Sequence, residues 1–326
     1  MPEHRTDPTL GTVCLLATDR ALRPHRWVKG THTVEEDGSL CPFCPGHEEH
    51  TPPTIARWPA EGPWEVRAFA NRYPALKVEG ELTHRVEGPL QGAAGVGAHE
   101  VIVESPEHGV PLHTQPARMR ASLHMAQARL QDLRQDTRLE LFSWFRNVGP
   151  SAGASQPHPH SQILASAVVG GLHAQMAARA SEHYDHTGRH LLLDVTHHER
   201  REGVRVVRDE GGVVTFAAWA PRFPLECWIV AEGARAQFEH ATRDEVDAVA
   251  DALTDLSRRL YGALGRPAWN VVLYTAPRGH DHGFTWHLRV LPRIVGMGGL
   301  EFLTGGAIVH VGPEEAAAVL RRDGRP

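Results

Sequence analysis

No stretch of this 326-residue sequence approaches the roughly 18 consecutive apolar residues of a membrane-spanning helix, which excludes a helical span. Positive charge is not in excess either. The 34 Lys and Arg are scattered and outweighed by 39 Asp and Glu, giving a formal net charge of −5 and no electrostatic footprint for nucleic acid or an anionic membrane. Small molecules are therefore the expected partners. Cysteine is scarce, and four in a chain of this length cannot form a disulfide scaffold. No Gly-rich phosphate loop is present, so a nucleotide would have to be held by other means. The opening MPEHRTDPTL has no apolar core behind a basic segment, and a cytoplasmic protein is expected.

What the sequence does contain is a regular alternation of short strands and a few helices. Closely spaced Pro and Gly in PHRWVKGTHT and CPFCPGHEEHTPP forbid a long helix there. Strands are read at WEVRAFANRY, HEVIVES, LELFSWFRNVG and HSQILASAVV, with a helix from Ala117 to about Leu133 between the second and third. Downstream, VRVVRDEGGVVTFAAWA reads as a hairpin turning at Gly211-Gly212, followed by strands at LECWIVAE, WNVVLYTAP and TWHLRVLPR. Thr242 and Glu245 form a capping box ahead of Val246, Val249, Leu253, Leu256 and Leu260, one apolar stripe of a second long helix. Pro313 opens a final helix. Strands joined mostly by turns favour an α+β fold, an antiparallel sheet flanked by helices, in two halves of similar rhythm at residues 1–170 and 171–326.

Two constellations carry chemistry. Cys41 and Cys44 form a C-x-x-C whose tight turn brings two sulfurs round one point, half of the tetrahedral S and N set that zinc prefers. His108 and His158 are candidates for the missing ligands, and two reduced loop cysteines are the plain alternative. His158 and His160 are separated only by Pro159, so in extended chain they share one face. If His158 binds metal, His160 stands beside it with a free ring. A backbone carbonyl accepting its Nδ1 proton would leave Nε2 as a bare nucleophile suited to attack on phosphorus. Gln162, again two residues on, would aim its amide at a phosphoryl oxygen. Most of the other histidines, as in DVTHHER, sit in polar stretches and read as surface residues.

The string GASQPHPHSQILA resembles the active-site signature of the galactose-1-phosphate uridylyltransferase family, a branch of the histidine-triad superfamily. CPFCPGHE, NRYPAL, GAHEVIVESPEH, APRFPLECWIV and TAPRGHDHGFTWHLRVLPR follow in family order, so the likeness covers nearly the whole chain. It implies two histidine-triad-like halves. It implies a structural zinc, one per chain, on Cys41, Cys44, His108 and His158, with His160 as the residue that becomes nucleotidylated. Gln162 and Ser155 would contact the transferred phosphoryl group with Asn147 nearby, and Asn71 would contact the nucleotide. Arg20 and Arg23 resemble residues that reach phosphates across a subunit boundary, which implies a homodimer. Thr285 and Tyr274 stand where many bacterial members carry histidines of a second metal site, so that site is expected to be absent, with His287 left over. Leu300 replaces an aromatic residue beside Glu301, a position implied to bind sugar hydroxyls, which leaves the sugar open.

The expected reaction moves a nucleoside monophosphate from a nucleotide sugar to a sugar 1-phosphate through a nucleotidyl-histidine, with ping-pong kinetics. UDP-glucose and galactose 1-phosphate are the substrates the resemblance implies. The alternatives are a phosphorylase of ADP-glucose or a dinucleoside polyphosphate, using inorganic phosphate as acceptor, and a zinc-stabilised nucleotide-binding protein without turnover. Release of nucleoside diphosphate from a nucleotide sugar and phosphate distinguishes the first. Unchanged function after His160→Ala distinguishes the second.

Overall fold

A computed structural model describes residues 2–19, 30–31 and 38–322; Arg20 and Arg23 fall outside the described residues. In chain order the first half carries β1 (Glu3–Thr6), β2 (Val13–Leu16), β3 (Gly30–Thr31), β4 (Thr54–Trp58), β5 (Val66–Ala70), β6 (His84–Glu87), β7 (Leu90–Ala93), β8 (Gly97–Val103), helix α1 (Pro116–Leu133), β9 (Leu141–Val148) and β10 (His160–Ser166). The second carries α2 (Gly171–Thr187), α3 (Leu191–Glu202), β11 (Val206–Glu210), β12 (Val213–Ala217), β13 (Cys227–Ala231), α4 (Arg243–Leu264), β14 (Gly265–Arg266), β15 (Trp269–Tyr274), β16 (His287–Pro292), α5 (Gly299–Thr304), β17 (Ala307–Val309) and α6 (Pro313–Arg322).

Ten strands form one sheet in the order β11-β12-β13-β16-β15-β9-β10-β8-β5-β4, and every pairing in it is antiparallel. From the two edges inward, β4-β5-β8-β10-β9 and β11-β12-β13-β16-β15 follow the same path, the last strand of each set in sequence being inserted between the third and the fourth. A long helix, α1 or α4, precedes the fourth strand in each set. The halves meet where β9 pairs with β15, Asn147 opposite Asn270. They share one sheet and one apolar core, with α1 and α4 packed side by side.

Local sequence explains these elements. The stripe of α4, Val246 to Leu260, is fully buried, and its cap is closed in both directions: Glu245 N donates to Thr242 Oγ1 at 3.2 Å and Thr242 N to Glu245 Oε2 at 2.7 Å. Gly211 and Gly212 turn the β11–β12 hairpin at φ 62° and 72°, a left-handed pair that side chains resist. Helices α2 and α3 were not expected from the sequence. Their buried residues are few, Met176, Ala177 and Ala180 in α2 and Leu192, Thr196 and Glu199 in α3, so no wide apolar stripe announces them.

These two helices decide where a ligand can enter. In the second half, the sheet face opposite α4 is covered: Leu192 packs on Val214, Phe216, Trp228 and Val230, and Leu10 with Met176 and Ala180 packs on Phe284. In the first half no α-helix covers the equivalent face among the described residues. Phe43 from the C-x-x-C loop leans on Phe69, Val101 and Val103 instead, leaving open space beside β10.

Candidate active site and metal centre

Cys41, Cys44, His108 and His158 converge, their ligating atoms all within 4.8 Å of one another. Cys41 Sγ and Cys44 Sγ each lie 3.6 Å from His158 Nδ1, and Cys44 Sγ lies 3.5 Å from His108 Nδ1. A tetrahedral ion with Zn–S of about 2.3 Å and Zn–N of about 2.0–2.1 Å sets S···N edges of about 3.5–3.6 Å, which these three S···N distances match. His158 Nε2 donates to the Ser105 carbonyl at 2.7 Å, which directs the bare Nδ1 at the sulfurs. Burial holds His158 down to about 4, keeping it neutral as a ligand must be. Without an ion, burial and then the neighbouring Cys41 push the Cys44 thiol up to about 11, so two thiolates need a cation between them. Gly38 closes the cradle; a Cβ there would stand 2.9 Å from Cys44 Sγ and 3.2 Å from His108 Cγ.

His160 begins β10, buried at 6% exposure, with its Nδ1 donating to the His158 carbonyl at 2.8 Å. The residue facing the two sulfurs thus orients the next imidazole through its own backbone. Burial drives the His160 pKa down, opposed by that hydrogen bond, so the ring is neutral with its lone pair on Nε2. The ring lines two cavities, of about 510 and 350 Å³. The larger runs between Phe43, Phe69, Asn71, Tyr73 and Gln162; the smaller holds Asn147, Gly149 and Pro157, and Ser155 borders both. A neutral nucleophile at the junction of two cavities can take a group from a ligand on one side and pass it onward.

A family model described as galactose-1-phosphate uridyl transferase, N-terminal domain, matches residues 1–170. That span is more than half of the 326 residues. This chain belongs to the galactose-1-phosphate uridylyltransferase family. It is 30% identical over 331 residues to an ADP-glucose phosphorylase of Arabidopsis thaliana, covering 98% of this chain and 92% of that protein. A galactose-1-phosphate uridylyltransferase of Thermotoga maritima is 26% identical over 302 residues, covering 88% and 91%. Among solved structures, an Arabidopsis thaliana ADP-glucose phosphorylase with bound ADP-glucose superposes with a TM-score of 0.83 at 26% identity, over 98% of this chain and 99% of that one.

Within this uridylyltransferase-family fold the other expected residues fall in different places. Asn71, Ser155 and Gln162 line the larger cavity with His160, and Asn147 and Ser155 the smaller. Asn147 is held from the second half: Asn270 Nδ2 donates to Asn147 Oδ1 and to the Ala152 carbonyl, both at 2.8 Å. Asn270 escaped the sequence reading because a lone Asn in an apolar strand carries no signal without its partner. Glu301 lines neither cavity. Its carboxylate accepts from Gly298 N at 2.8 Å and Ile308 N at 3.0 Å, capping the start of α5 and tying it to β17. His287 is the positional counterpart of His160, first residue of its strand, with Nδ1 on the carbonyl two residues back, Thr285, at 3.1 Å. Here the ring is shut in: Tyr274 stacks on it at 5.2 Å, and Arg289, paired with Asp7, donates to its Nε2 at 3.2 Å. The exposed His197 and His198 are surface residues, as expected.

Proposed function

We propose that this chain is a nucleotidyltransferase acting on nucleotide sugars, with His160 as covalent carrier. The observation that supports it most is the neutral His160 ring, anchored at Nδ1 by the carbonyl of His158 and opening onto the space between Gln162 and Ser155. Nε2 attacks the α-phosphorus, a P–N bond forms, and the P–O bond to the sugar 1-phosphate breaks. The leaving group departs as a phosphate monoester anion and needs no proton donor. An acceptor oxygen then attacks the same phosphorus, and His160 regains its lone pair. Both steps build the same charge, so the amides of Gln162 and Asn147 and the Ser155 hydroxyl serve donor and acceptor alike. Asn71 contacts the nucleotide, and Arg20 and Arg23 reach the phosphates of a partner copy.

Two readings divide donor and acceptor. One is the uridylyl transfer the family is named for, from UDP-glucose to galactose 1-phosphate. The other is phosphorolysis of a nucleotide sugar such as ADP-glucose, with inorganic phosphate as acceptor. The whole-chain similarity to ADP-glucose phosphorylase favours the second, as does the engagement of Glu301 in capping α5. The metal centre is proposed as structural zinc, which would hold His158 and so the His160 backbone in place. A homodimer in the cytoplasm, built from two histidine-triad-like halves at 1–170 and 171–326, completes the proposal. Incubation with UDP-glucose, ADP-glucose and other nucleotide sugars, followed by intact-mass measurement, identifies the donor by the nucleotide left on His160. Discharge of that adduct by galactose 1-phosphate or by phosphate then identifies the acceptor. No mass gain with any nucleotide sugar refutes the covalent route.

A further inference from the structure

The geometry points to His99 as a positioning residue that sets which end of the Gln162 amide faces the transferred phosphoryl group. The inference rests on the proposed contact between Gln162 and that group. His99 lies on β8 opposite Leu164 of β10, so its side chain shares a face with Gln162 one diagonal step away. The Ala75 backbone N–H donates to His99 Nδ1 at 3.1 Å. A backbone N–H can only donate, so Nδ1 is bare and the proton of the neutral ring is on Nε2. That Nε2 lies 2.7 Å from Gln162 Oε1. The N–H of His99 therefore takes the amide oxygen, and the NH2 of Gln162 is turned to the cavity it shares with His160.

The second neighbour is oriented independently of His99. Asn71 Oδ1 accepts from Tyr73 N at 2.9 Å, so its NH2 is the end that stands 3.3 Å from His99 Nε2. With a proton on that nitrogen both groups are donors, and the approach is a contact rather than a hydrogen bond. The Asn71 amide hydrogens remain available to a ligand. An amide oxygen and an amide nitrogen have nearly the same size, so sterics alone would not choose between them. Presenting oxygen to an anionic phosphoryl group would repel it, whereas presenting NH2 stabilises the charge that develops in the transition state. Donation from Nε2–H also polarises the amide and strengthens its N–H donors.

The test is the rate of nucleotidyl-His160 formation in a single turnover, read by quenched intact mass, together with the affinity for the nucleotide sugar. His99→Asn keeps an acceptor for Ala75 N–H, and its amide is too short to reach Gln162, which loses its donor. It is expected to slow adduct formation about 10-fold, a fraction of the ~10²–10³ that losing a charge-stabilising donor outright costs, while binding changes less than about threefold. His99→Asn added to Gln162→Met causes no further slowing, because the route through the amide is already gone. His99→Gln and His99→Met repeat the question with uncharged side chains of similar length: only the amide donates, so the Gln variant retains most of the rate and the Met variant loses it. Equal rates in that pair, or losses that multiply in the double variant, overturn the inference. Failure of the wild-type protein to form any adduct would instead defeat the proposed function.

Discussion

Gly38→Ala separates the metal-bound chain from the metal-free one without touching a ligand. Gly38 has no left-handed φ, so alanine meets no backbone strain. Its Cβ would stand 2.9 Å from Cys44 Sγ and 3.2 and 3.3 Å from His108 Cγ and Nδ1, where ordinary contact begins at 3.4 Å. The sulfur must withdraw by about 0.5 Å, while metal–ligand distances hold within about 0.2 Å. In the metal-free chain Cys44 relieves the contact by rotating its thiol. In the metal-bound chain that rotation breaks a bond to the ion. The expected loss of metal affinity is about 10- to 100-fold, the range seen for residues that orient ligands, or roughly 1.4–2.7 kcal/mol. Competition with a chromophoric chelator measures the affinity, and melting with and without chelator separates the two states. The Tm of the metal-bound protein falls and that of the chelated protein stays within a degree or so. Unchanged chelator competition, or an equal drop in both melting curves, would refute the reasoning.

Three further outcomes follow from the same contacts. His160→Ala abolishes the mass adduct and nucleotidyl transfer while nucleotide binding measured by calorimetry persists, since the larger cavity is lined mostly by other side chains. His113, packed on Tyr261 at 4.3 Å, is held down to about 4 by burial and then by Arg146 and Arg258. The unfolded ring takes up its proton near 6.5 and the native ring does not until about 4, so stability falls as pH drops through that window and is unaffected above it; the urea midpoint of wild type falls relative to that of His113→Phe as the pH is lowered from 6.5 to 4. Arg289→Met strands Asp7, whose side chain is 2% exposed, and costs about 3–5 kcal/mol in urea unfolding, much of it recovered by adding Asp7→Asn.

The strands and the two long helices were legible because burial imposes a period. Val246 to Leu260 repeats at helical spacing, and its cap residues are local. The candidate metal site was legible for a different reason: C-x-x-C puts two sulfurs together within one turn, whereas His108 and His158 are brought to them from far along the chain and were reached through the family resemblance. Glu301 shows the limit. A carboxylate in a glycine-rich stretch can reach a ligand or close a helix end, and no local pattern in the sequence announces the bonds Glu301 accepts at the start of α5 and from β17.

What the sequence decided by itself, then, is the chemistry: two sulfurs, a stiff His-Pro-His link and a neutral imidazole with an amide two residues away. Only tertiary structure decided which of two equivalent positions could use it. His160 and His287 begin corresponding strands and make the same Nδ1 hydrogen bond to the carbonyl two residues back, yet one opens on a cavity and the other is sealed. Periodicity tells a strand which of its faces is apolar but not what will cover it. That depends on Leu10, α2 and Asp7 arriving from far along the chain, as His99 reaches Gln162 across 63 residues.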